Sequence, residues 1–254
     1  MGIFSLNNMN RLFVFIGLLF ILIGCKKPED RICWKGSGKS ISQEIDLEHL
    51  NFKGFSIYND INVNLILDSV NFFQITSYNN KVNQLTYEVV DSLLEIRDKS
   101  KCDFLRNNKK ETTIDIHYTN LSVLSLNGNG KISSSSPISN EILHIYSHSS
   151  NGEVDLEVNA TSFIVKFVNG TLNGIIKGSA NNANLFHFGY SNVNFEELIV
   201  DNLRVTNKSD ANLYVSSTSS LSVELLSLGN IYYKGSPTTE IVTNTMDSKL
   251  INNN

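Results

Sequence analysis

The chain has 254 residues, 18 % of them charged, and a formal net charge of −4. No Lys/Arg cluster forms a basic stripe, which argues against a nucleic-acid partner. Three prolines in the whole chain, and no long segment of 3.6-residue periodicity, argue against a helical or proline-rich architecture.

The N-terminus reads as an export signal. Arg11 precedes the apolar run "LFVFIGLLFILIG", whose length and flanks fit a secretory segment rather than a membrane span. Leu22-Ile23-Gly24-Cys25 matches a bacterial lipobox. We therefore expect a lipoprotein signal peptide over 1–24 and acylation of Cys25, which would tie the chain to a membrane. Residues 25–35, with "KKPED", read as a polar tether. No later run approaches the length of a spanning helix. Cys33 and Cys102 remain, and an even count in an oxidising envelope permits one disulfide, with two free thiols as the alternative.

Residues 36–120 read as a β-rich part with irregular spacing. Strands are expected at Gly54–Tyr58, Ile61–Leu67, Phe72–Ser77, Leu85–Val90, Leu93–Arg97 and Thr112–Tyr118, with one helical turn around Lys81–Leu85. β-branched runs bounded by Asn, Gly and Ser clusters carry that reading. Residues 98–111 are charged, lack alternation and read as an exposed loop.

From residue 121 to 237 the spacing becomes regular. Turn phrases place apolar anchors at Ile132, Val154, Leu172, Val193, Leu213 and Ile231, with intervals of 22, 18, 21, 20 and 18. A second register runs through Val123, Ile145, Val165, Phe188, Val205 and Val223. Two short alternating strands per repeat fit an all-β, parallel β-solenoid of about twenty residues per coil. Stacked coils bury an apolar face that one coil cannot. Asn-Gly at the corners is expected to supply positive φ. A β-sandwich with recurring turns is the alternative. Residues 238–254 read as a polar tail, one that leaves the last coil with an open edge.

Several stretches together resemble a known family. They are "GSGK" at 36–39, "FKGFSIYNDINVNLIL" at 52–67, "VVDSLLEI" at 89–96, "IDIHYTNLSVLSLNGNGKI" at 114–132 and "LGNIYYKGSP" at 228–237. The chain is similar to the head-GIN-domain proteins of Bacteroidetes, named for an inferred auto-transporter adhesin role. The resemblance implies a secreted or lipid-anchored parallel β-helix and transfers no catalytic residue. The chain departs from it at Tyr190-Ser191 and Asp210-Ala211, where the corner lacks glycine.

Chemistry is sparse. There is no Gly-x-Ser-x-Gly elbow, and "GSGK" lacks the spacing of a phosphate-binding loop. His144 and His148 share a strand face without an acidic partner. Glu153, Asp155 and Glu157 form an outward row that, with Asn173, makes a candidate cation site. Tyr214, Tyr232, Asn212 and Asn230 make a candidate glycan-facing column. No catalytic residue and no cofactor are expected. The expected role is a non-catalytic binding, adhesion or structural surface of an outer-membrane lipoprotein, facing either the cell surface or the periplasm. Its partners would be the membrane, through Cys25, and a glycan or an envelope or host surface protein. The alternatives are a carbohydrate-active β-helix enzyme and an envelope-assembly or sensing partner.

Overall fold

The computed structural model describes residues 38–100 and 112–254. Cys25, Cys33, Cys102, the signal segment 1–24 and the tether 25–35 lie outside them. The described chain is all-β apart from one short helix. The first strands are β1 (Ser40–Asp46), β2 (Gly54–Asn59), β3 (Ile61–Leu67) and β4 (Phe72–Tyr78). A short α1 (Asn79–Val82) leads to β5 (Leu85–Val90), β6 (Leu93–Asp98) and β7 (Thr112–Tyr118). β8 (Val123–Gly128), β9 (Lys131–Ser134) and β10 (Ile138–His148) follow. The long strands are β11 (Glu153–Val168), β12 (Asn173–His187), β13 (Asn192–Asn207) and β14 (Leu213–Leu225). β15 (Ile231–Lys234), β16 (Thr238–Asn244) and β17 (Leu250–Asn252) close the chain.

The strands stack as a parallel β-solenoid with two walls. Wall one runs β6, β2, β8, the C-terminal halves of β10 to β14, and β16. Wall two runs β7, β3, β9, the N-terminal halves of β11 to β14, then β15 and β17. Each long strand bends from one wall to the other. In β11 the bend falls at Thr161, where burial passes from Ala160 to Phe163 and the inward parity flips. Chain order is broken once: the β2–β3 coil lies between β6–β7 and β8–β9. Antiparallel β5 on β6, and β4 with β1 on β7, cover that end of the stack.

One apolar column threads wall one. Leu94, Phe55, Leu124, Ile145, Val165, Leu185, Val205, Val223 and Ile241 stand in register. All but Ile241 are buried. Rungs about 4.8 Å apart leave each side chain flanked above and below by others. The core runs without interruption across residue 120.

The strands expected between residues 54 and 118 are present. β1 was not foreseen, and α1 begins before the expected helical turn. Residues 238–254, expected as a polar tail, hold β16 and β17, which pair with β14 and β15. Three anchors are displaced. Gly174, not Leu172, stands on Val154. Leu185, not Phe188, stands on Val165, and Leu124, not Val123, stands under Ile145. The cause of the first shift is visible at the corner. His148 pairs with Val168, so Asn169-Gly170 aligns with Ser149-Ser150 and precedes the position of Asn151-Gly152. Ser149 and Asn169 share positive φ, at 68° and 59°. Gly152 has no such φ; its side-chain space is filled by the Gly130 carbonyl oxygen of the coil below. Gly152 is there for close approach rather than for handedness, whereas at Asn169-Gly170 both residues take the expected positive φ, Gly170 at 82°.

Where glycine is missing, buried polar groups shape the corner. His187 Nδ1 lies 3.0 Å from Asn207 Oδ1, and its Nε2 lies 2.9 Å from the Ser191 carbonyl oxygen. Asn207 Nδ2 donates to the Gly229 carbonyl at 2.9 Å.

Candidate binding face

The outward acidic row lies on wall two, as its alternation requires. Glu153 is 4.0 Å from Lys131 in the coil below and pairs in register with Asn173 above. Asn173 uses its side-chain amide on the Thr171 carbonyl, 2.8 Å away. Glu157 faces Lys177 in the register. Successive outward Cα atoms on a strand are separated by roughly 6.6 Å, and Glu153 and Glu157 stand beside lysines of the neighbouring coils rather than turning toward one another. Among the described residues no group of three or more His, Cys, Asp or Glu gathers in a metal-holding arrangement. The geometry therefore does not build a cation site from Glu153, Asp155, Glu157 and Asn173.

Tyr214 and Tyr232 do stand in one column of wall two. Their rings stack at 5.0 Å between centroids and 14° between planes. Each covers a face of the other, and Ile251 follows Tyr232 in the register. The facing sides of the two rings are thus spent on each other, while a sugar docks on a ring face. Asn212 Oδ1 accepts from the Asn230 backbone N–H at 3.0 Å, and Asn230 Oδ1 accepts from that of Lys249 at 2.8 Å. These asparagines tie coil to coil, as ladders of stacked amides do.

Wall one carries a different surface. Its outward column through the middle coils reads Ser125, Tyr146, Lys166, Phe186, Thr206 and Glu224. Beside it run His144, Ile164, Asn184 and Arg204. Tyr146 and Phe186 are half-buried, and Lys166 between them is exposed. Tyr146 OH lies 2.7 Å from His144 Nδ1. Phe186 meets Phe188 edge-on at 6.1 Å. A lysine thus stands on the rung between two rings of one column.

Charge on this wall is also uneven. From β6 to β14 its outward carboxylates are Glu95 and Glu224, and both are held. Glu95 accepts from Arg97 at 2.7 Å and from Tyr58 OH at 3.1 Å. Glu224 accepts from Arg204 and Thr206, each at 3.0 Å. The Arg204 hydrogen bond, then that of Thr206, holds its carboxyl below the usual glutamate range. Lys166 has no ion-pair or hydrogen-bond partner among the described residues. Sequence reading missed this face because its members lie in three repeats, "HIYSH", "FIVKFV" and "NLFHFGY", and meet only once the register is known.

A parallel two-walled β-solenoid with side chains tied into coil-to-coil ladders belongs to the class of repeat scaffolds that present surfaces. The sequence identifies which: residues 51–237 match the family model "Putative auto-transporter adhesin, head GIN domain", and the chain belongs to that family. Solved structures share the fold. A putative adhesin from Bacteroides fragilis superposes with TM-score 0.77 at 21 % identity, over 86 % of this chain and 99 % of that one. A putative adhesin from Parabacteroides distasonis gives 0.61 at 19 %, over 86 % and 99 %. A protein from the same species described as a putative lipid binding protein gives 0.53 at 17 %, over 85 % and 94 %. A comparison with curated proteins finds no match. Among the described residues no helix is long and apolar enough to cross a membrane.

Proposed function

We propose that the chain is a lipid-anchored, non-catalytic binding module of the bacterial cell envelope, held by acylated Cys25 and displaying its solenoid to a ligand outside. The observation that carries the reading is the use to which the polar side chains are put. Asn212, Asn230, Asn151 and Ser150 bind the backbone or side chains of the neighbouring coil. They hold a rigid surface and converge on no reacting centre. Family membership supports a surface role, and the lipobox at residues 22–25 supports the anchor.

Protease shaving of intact cells tests it, with a Cys25→Ala chain as control. The proposal expects loss of the solenoid from intact cells, and release of the Cys25→Ala chain from the membrane fraction. A chain that survives on intact cells and is cut only after lysis faces the periplasm, and the adhesion reading falls.

A further inference from the structure

We propose that wall one binds an acidic polysaccharide, a chain of pyranose rings bearing carboxylates, along the column Tyr146–Lys166–Phe186. The inference rests on the binding-module reading and names the ligand class for it.

Three observations carry it. The first is ring presentation. Tyr146 and Phe186 are set two coils apart by Lys166. Unlike Tyr214 and Tyr232, they do not close on each other, and a ring not spent on stacking with its own column is what the apolar side of a sugar docks on. The second is charge. The protein is net negative, yet both outward carboxylates of this wall from β6 to β14 are neutralised by arginines, and among the described residues the Lys166 ammonium has no partner. That leaves a local positive field complementary to a polyanion. The third is shape. Phe186 and Tyr146 are half-buried rather than fully projecting. A bilayer needs apolar side chains that project into it, whereas an extended polymer can lie along a flat column and repeat its contacts from rung to rung. Asn184 and His144 flank the column with donors and acceptors for ring hydroxyls.

The test uses the full-length chain in mild detergent and native gels containing polygalacturonate, with neutral dextran as the comparison. Retardation by polygalacturonate alone is expected, weakening as salt is raised. Lys166→Gln and Phe186→Ala should each weaken it about tenfold, while Tyr214→Ala on wall two should leave it unchanged. Thermal unfolding of each variant shows that the fold is kept. The proposal is overturned by no retardation in polygalacturonate, by equal retardation in dextran, or by a Lys166→Gln chain that binds as the parent does. Binding only to vesicles containing anionic lipid would also overturn it and would assign the face to a membrane. Should the gels fail while shaving shows the solenoid outside, the binding module stands and this ligand does not.

Discussion

At the scale of single residues the solenoid leaves little freedom where coils touch. Gly174 has φ of +133°, and a Cβ there would collide with the Val154 carbonyl oxygen. Gly174→Ala should therefore cost about 3 kcal/mol, from backbone strain and from the pushed carbonyl together. Thermal unfolding beside an exposed control such as Asn159→Ala would show it, and equal midpoints would sink the argument. His187 makes a pH prediction. Burial pulls its pKa below the ordinary histidine value, against the pull of its hydrogen bonds to Ser191 and Asn207, both uncharged. The unfolded chain then binds the proton more readily than the folded one. Stability from this group is complete above the unfolded pKa of about 6.5 and is lost as pH falls through that value toward the depressed folded one. The unfolding midpoint should drop between pH 7.5 and pH 5, and His187→Gln should flatten that drop. An identical slope in the variant would place the acid sensitivity elsewhere.

Among the elements, the cost of a truncation should depend on the rung it occupies. Leu185 lies in mid-column at 2 % exposure, with Val165 below and Val205 above, while Ile241 ends the same column at 50 % exposure. Leu185→Ala should cost about 2–5 kcal/mol and Ile241→Ala less than about 1 kcal/mol. Denaturant unfolding of the two variants measures the ratio, and similar losses would mean that the column does not transmit burial as drawn. This gradient could not be read beforehand, although much of the architecture could. Strict alternation in "NGEVDLEV" gives strand and inward face directly, because its period of two depends on local geometry alone. Which residue stands on which is a matter of corner length. Asn-Gly occupies different corner positions in successive coils, so an anchor taken from it puts Leu172 where the register has Gly174. The wall-one face fared worse for the same reason, since Tyr146, Lys166 and Phe186 are neighbours only through register. The carboxylate row is legible as an outward row, yet alternation says nothing of the lysines that the register sets beside Glu153 and Glu157.

For the molecule as a whole, the stack must end without inviting more strands. The N-terminal end is covered by antiparallel β5, β4 and β1. The other end is managed by sequence. Opposite the inward Leu221, Val223 and Leu225 of β14, the last coil places Thr239, Ile241 and Asn244. Two of three core positions have turned polar, and the register shifts after Ile241 so that Val242 is left out of the pairing. Polar core positions and a bulge both discourage a further coil or a second chain from adding to an edge. A chain that stops after residue 237 would lose this device and present Val223 and Leu225 to solvent beside an unpaired, regular strand. It should associate where the full-length chain does not, giving a larger mass by light scattering that grows with protein concentration. A truncated chain of unchanged mass would mean that β14 is itself a sufficient end, and that β16 and β17 serve something other than closure.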